Sequence, residues 1–150
     1  MFVILAAVLL LTPKEELKLS KNETRMIAEI NEYRAKYKLP PLKADPTLMK
    51  VARYRAPHYT HSYQGRWIWD ECQRYGFEGR TTDNLAQGQQ SPEEAVQSWA
   101  SSSVGHAQQM RGMFRMNGRL VNYHFNKVGV AHSGRNWIAI FGRESEAEVD

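Results

Sequence analysis

The hydrophobic period changes once along this chain, and that change sets the class of fold it can reach. Before Gly118, apolar residues recur at helical spacing. After it, Leu120 to Phe125, Val128 to Ala131 and Trp137 to Phe141 form β-branched or aromatic runs, which read as strands. Asn126-Lys127 separates the first two runs and Ser133-Gly134-Arg135-Asn136 the last two, so the last pair reads as a hairpin. Helices first and strands last predict an α+β domain, with helices covering an antiparallel sheet.

The helices announce their starts. Ser20-Lys21-Asn22-Glu23 has the form of a capping box. Met26, Ile27, Ile30, Tyr33 and Tyr37 follow as one apolar stripe, which Leu39-Pro40-Pro41 ends. The expected helix covers 21–38. Asp45-Pro46 opens a second over 46–56, with Asp45 as N-cap, Pro46 at the first helical position and Leu48, Val51 and Ala52 facing inward. A short third runs from about Trp67 to Tyr75 and closes at Gly76. Ser91-Pro92-Glu93-Glu94 is the strongest local signal, combining an N-cap, Pro, two acids in the first turn and a capping-box Glu94. It opens a helix over 92–101 with Ala95, Val96 and Trp99 on the buried face.

At 150 residues the chain suits one domain with a sizeable core. It has 20 Lys and Arg against 16 Asp and Glu. The basic residues are scattered and form no run, which argues against nucleic acid. Cys72 is the single cysteine, so no intrachain disulfide forms and the disulfide-rich secreted class is excluded. A lone Cys of this kind reads as a small buried apolar residue. The run Met1 to Leu11 is too short for a comfortable membrane span, which needs about 20 residues. It matches a signal-peptide core in length, although no Lys or Arg precedes it. The reading is an apolar leader over 1–12, signal peptide or anchor, then a charged connector over 13–20. A tail over 144–150 holds four acids.

Five histidines are candidates for chemistry: His58, His61, His106, His124 and His132. His124 and His132 fall in strand-like segments and read as structural. Thr60-His61-Ser62 lies in a polar loop. Thr82-Asp83-Asn84-Leu85-Ala86 introduces another loop, and Gly105-His106 follows the Ser91 helix. Two imidazoles and a carboxylate from three loops suit a metal or proton-transfer site.

These segments, taken in order, resemble the CAP superfamily, the cysteine-rich secretory, antigen 5 and pathogenesis-related proteins, in its bacterial form. The resemblance rests on Ile30-Asn31-Glu32-Tyr33-Arg34, then Leu39, Leu42, Asp45 and Leu48, then His61-Ser62 and Gly76-Phe77. It continues through Asn84-Leu85-Ala86-Gln87-Gly88, Ser91 to Val96 with Trp99, Gly105-His106, Val128 to Ala131 and Trp137 to Gly142. It covers 21–143 and implies a three-layer α-β-α sandwich with a cleft lined by two His and two acids. His61 and His106 match the two His, Asp83 the first acid, and Gln109 the polar residue three after the second His. Ser102 stands where eukaryotic members carry the second acid.

The resemblance implies a secreted or cell-envelope binding module whose ligand is a lipid, a cell-wall component or a protein, without nucleic acid. The cleft residues are His61, Asp83, His106 and Gln109. His61 and His106 are the candidate ligands for weak binding of zinc or another divalent metal, with no catalytic residue assigned. The alternatives are a metal- or His-dependent hydrolase, and a structural or toxin-like domain with a vestigial site. Neither Gly-x-Ser-x-Gly nor His-Glu-x-x-His occurs in the chain.

Overall fold

A computed structural model describes residues 16–62 and 65–145. The expected leader, the start of the connector and the last five residues of the acidic tail lie outside the described residues. The part of the connector that is described is not merely a charged link, because Leu17 and Leu19 pack against the core.

The capping signals act where they stand. At α1 (Lys21–Lys36) the Ser20 hydroxyl accepts from the Glu23 N–H at 3.1 Å, and the Glu23 carboxylate accepts from the Ser20 N–H at 2.8 Å. Two of the orphan donors at the helix start are thereby satisfied. β1 (Lys43–Ala44) precedes α2 (Pro46–Arg55), where Asp45 accepts from the Leu48 N–H at 3.0 Å. α3 spans Ile68–Arg74, β2 spans Gly79–Gln87, and α4 spans Pro92–Ala100. Ser91 caps α4, but Glu94 departs from the capping-box expectation: its carboxylate accepts from the Gln90 N–H at 2.8 Å.

A short α5 (His106–Met110) follows, then β3 (Met113–Met116), β4 (Arg119–Asn122), β5 (Lys127–Ser133) and β6 (Asn136–Glu144). The main sheet has the order β1-β5-β6-β2. β5, β6 and β2 are antiparallel, and the two-residue β1 joins parallel to β5. The β5–β6 hairpin is as expected, closing at Gly134 with φ +56°.

Side chains of β6 alternate between two cores. Trp137, Ala139 and Phe141 pack with Met26 and Ile30 of α1 and with Val96 and Trp99 of α4. Ile138 and Ile140 pack with Leu48, Val51 and Ala52 of α2 and with Cys72 of α3. Helices on both faces make a three-layer α-β-α sandwich. They also explain why Trp137 to Phe141 is continuously apolar, since a strand covered on both faces shows no polar alternation. Gly129 lets α2 lie close on β5: a Cβ there would overlap the backbone of Leu48 and Met49.

Three expectations need correction. Residues 82–86 are not a loop but the middle of β2, paired with β6 from Gly79↔Glu144 to Gln87↔Asn136. Residues 120–125 do not enter the main sheet. Leu120 and Val121 pair instead with Arg115 and Phe114 in a separate β3–β4 hairpin. Its turn is Asn117-Gly118, with φ +49° and +78°, the positive pair that a two-residue primed turn requires. The α1 stripe ends differently too. Tyr37 is exposed, and the buried position in that turn is Arg34, whose guanidinium donates to the carbonyls of Pro40 and Met110.

Candidate functional site

β2 is the frame of the site. From it Thr82 donates to Gln109 Oε1 at 2.6 Å, and the fully buried Asn84 donates through Nδ2 to the His106 carbonyl at 3.0 Å. These two bonds fix α5 against the edge strand. Gly105, at φ +99°, turns the chain so that His106 opens that helix. The His106 ring is half-buried. Its pKa is held below the usual imidazole value, first by burial and then by the positive charge of His61. The structure therefore brings the two rings within electrostatic reach of each other.

His61 follows α2 and is exposed. Its Nδ1 lies 2.9 Å from Gln87 Oε1. Since that oxygen can only accept, the proton is assigned to Nδ1, and neutral His61 keeps a lone pair on Nε2. Gln87 in turn donates to Asn136 Oδ1 at 3.0 Å, and Asn136 donates to the Ala56 carbonyl at 2.8 Å. A chain of three amide groups thus runs from the end of α2 across β6 and β2 to the imidazole. Such an orienting bond on the far ring nitrogen is what sets the tautomer of a ligating histidine.

The Asp83 carboxyl hydrogen-bonds the Tyr59 hydroxyl and lies near the Arg55 guanidinium. Successive strand residues face opposite sides. Thr82 and Asn84 serve α5 while Asp83, between them, serves the end of α2. Burial raises the Asp83 carboxyl above its ordinary range, and the Tyr59 bond and the Arg55 charge only partly counter it. Arg55 also lies over the Tyr59 ring, 4.3 Å from its centroid. Beside Asp83 is a cavity of about 250 Å³ whose walls include Trp67, Trp69, Phe114, Met116 and Tyr123. At its rim the Arg80 guanidinium lies 5.1 Å from the Trp69 ring and 5.9 Å from that of Tyr123.

The remaining candidates make contacts of their own. Ser102 accepts from the Val104 N–H at 3.3 Å. His58 meets Tyr54 edge-on, 5.5 Å between centroids. His132 lies in β5, stacked on Trp137 at 3.7 Å. His124 is not in a strand: it follows β4 with φ +53°. Cys72 is buried as expected, and burial pushes its thiol up to about 12. Among the described residues, no group of three or more His, Cys, Asp or Glu is placed to hold a metal ion. Gln87, Tyr59 and Thr82 are the site residues that sequence reasoning missed. Gln87 stood inside a segment carrying the resemblance, but its reach to His61 is a contact 26 positions away.

Residues 27–136 match the model of the cysteine-rich secretory protein family, CAP. That span holds both imidazoles, β2, α4 and α5. The chain belongs to the CAP family. The uncharacterized protein YkwD of Bacillus subtilis is 31% identical to it, over 81% of this chain and 47% of YkwD. The chain thus spans about half the length of that relative. The fold resembles an outer surface protein of Borrelia burgdorferi, with TM-score 0.69 and 22% identity over 86% of this chain and 97% of that one. It also resembles an extracellular protein containing an SCP domain from Bacillus anthracis, with TM-score 0.63 and 21% identity over 86% of this chain and 45% of that one. No helix among the described residues of this CAP domain is long and apolar enough to cross a membrane.

Proposed function

We propose that this CAP domain is a binding module, secreted or held at the cell envelope, that takes a lipid, a cell-wall component or a protein in the cleft around His61, Asp83, His106 and Gln109. The observation that carries the reading is the imidazole pair: Gln87 and Asn136 orient the His61 ring, Asn84 holds the backbone carbonyl of His106, and the charge of His61 acts on the His106 ring. The aromatic-walled cavity that Thr82 and Asp83 of β2 help to line supplies apolar contact area beside a carboxyl and a hydroxyl, the mixture found in small-ligand sites. The extracellular and outer-surface descriptions of two fold relatives support the location.

The donor set favours weak metal binding. A catalytic zinc takes three protein ligands and a water. Here two imidazoles are offered, Asp83 is engaged by Tyr59, and Ser102 has no charge to give. His61 and His106 would hold zinc or another divalent ion through two nitrogens. Such an ion would supply an electrophilic anchor for an oxygen of the ligand.

Binding is favoured over hydrolysis because the chain carries neither nucleophile motif, Gly-x-Ser-x-Gly or His-Glu-x-x-His, that would supply the attacking group. Incubation of the purified chain with peptide and ester libraries, with and without a chelator, tests this. The expected result is no turnover. Chelator-sensitive turnover that disappears in His61→Ala would make the domain a hydrolase instead.

A further inference from the structure

A second cleft, of about 600 Å³, opens where the end of α1, the residue after α5 and β6 meet the segment 122–126. Its walls carry Arg34, Arg111, Arg143, Asn122, His124 and Asn126, and no acid among the described residues.

Two of the three arginines, Arg34 and Arg143, are tied to neighbouring carbonyls. Arg34 donates to Met110 O at 2.8 Å and Phe125 O at 3.5 Å, and Arg143 donates to His124 O at 3.2 Å. Arg111 directly follows Met110. Asn122 accepts from the His124 N–H through its oxygen at 2.9 Å, which leaves its amide N–H groups to donate elsewhere.

Two features set this cleft apart from an ordinary solvated basic surface. Arg34 is only 3% exposed, and a buried cation normally has an anionic partner. Among the described residues, ion pairs form at Arg25, Arg53 and Arg66 and none at Arg34 or Arg111. Among the described residues the Arg34 guanidinium donates to three carbonyls, of Pro40, Met110 and Phe125, and burial lowers its pKa. The Arg111 Nε–H is itself buried without an acceptor among the described residues, although its guanidinium lies over Tyr37, 4.7 Å from the ring centroid.

We propose that this cleft is a binding site for a phosphate-type oxyanion, either the free ion or the phosphate group of a polymer or lipid headgroup. A planar carboxylate is matched by a single guanidinium fork. The Arg111 and Arg143 guanidiniums, with a carboxamide donor between them and the buried charge of Arg34 behind, match an anion whose oxygens point in several directions. The site does not rest on the imidazole reading.

Calorimetric titration of the full chain with sodium phosphate, against sodium chloride at equal ionic strength, tests the proposal. Saturable heat with phosphate is expected. Arg111→Gln, a half-exposed position, is expected to weaken binding about tenfold or more, the scale of one lost charge-assisted hydrogen bond. Arg74→Gln, outside the cleft, is expected to leave it unchanged. An unchanged circular dichroism spectrum and melting temperature would show that Arg111→Gln folds, and Arg143→Gln serves as a second variant. Glycerol phosphate and phosphatidylglycerol vesicles separate the sources. Binding of the ester alone points to a soluble or polymer ligand, and binding of both, each weakened by Arg111→Gln, points to a headgroup. No saturable heat, or equal affinity in the Arg111 and Arg74 variants, would overturn the site.

Discussion

Asp83 has a carboxyl that burial pushes toward its neutral form, with Tyr59 and Arg55 as partial compensation. A pKa raised in the folded state means that the native protein binds the proton more tightly than the unfolded chain does. The contribution to stability is then full below the unfolded value of about 3.9, and it is lost as pH rises through the folded value. Asp83→Asn keeps an oxygen for Tyr59 and removes the titration. Its melting temperature at pH 7 is expected to equal or exceed that of the native chain, with the native advantage restored toward pH 4. A large loss at pH 7 would show that the ionised carboxylate is what the site requires. Trp99 presents the simpler case: at 1% exposure it fills the core between α4 and the sheet. Trp99→Ala is expected to cost about 3–5 kcal/mol in denaturant unfolding, and an unchanged midpoint would contradict its place in that core.

The elements show which parts of the fold were legible and why. Caps are short-range chemistry, so Ser20, Asp45 and Ser91 marked their helices directly. β2 was illegible because Asp83 and Asn84 are poor strand formers and their partners, Ile140 and Ala139, lie more than fifty residues away. Treating that stretch as a loop also hid the strand alternation that separates Asp83 from Thr82 and Asn84. His61, Asp83 and His106 stood out by residue type in their segments and the family resemblance added Gln109, whereas the bonds around them cross between elements and left no local mark. Gly129 is the most exacting contact between layers. Gly129→Ala would drive a methyl into the α2 backbone at Leu48. The expected loss is about 3 kcal/mol, at the upper end for overpacking, read from the denaturant midpoint. A neutral effect would mean that α2 does not rest on β5 as described.

At the scale of the whole molecule, the sandwich presents two regions of distinct chemistry: the surroundings of β2, with the imidazole pair and, at Asp83, an aromatic-walled cavity, and an arginine-lined cleft at the end of α1. The first is the centre of the account, because it depends on β2, α5 and the end of α2 all being placed as described. Zinc titration by calorimetry, on the native chain and on the His61→Ala/His106→Ala double variant, tests it most directly. Protons and zinc compete for the same nitrogen lone pairs. The low pKa of His106 keeps that ring available at neutral pH. The native chain is expected to give weak saturable heat near pH 7.5 that fades below about pH 6.5, where free imidazole takes up its proton, and the double variant is expected to give none. Equal heats from the two proteins would contradict the claim that His61 and His106 form one site.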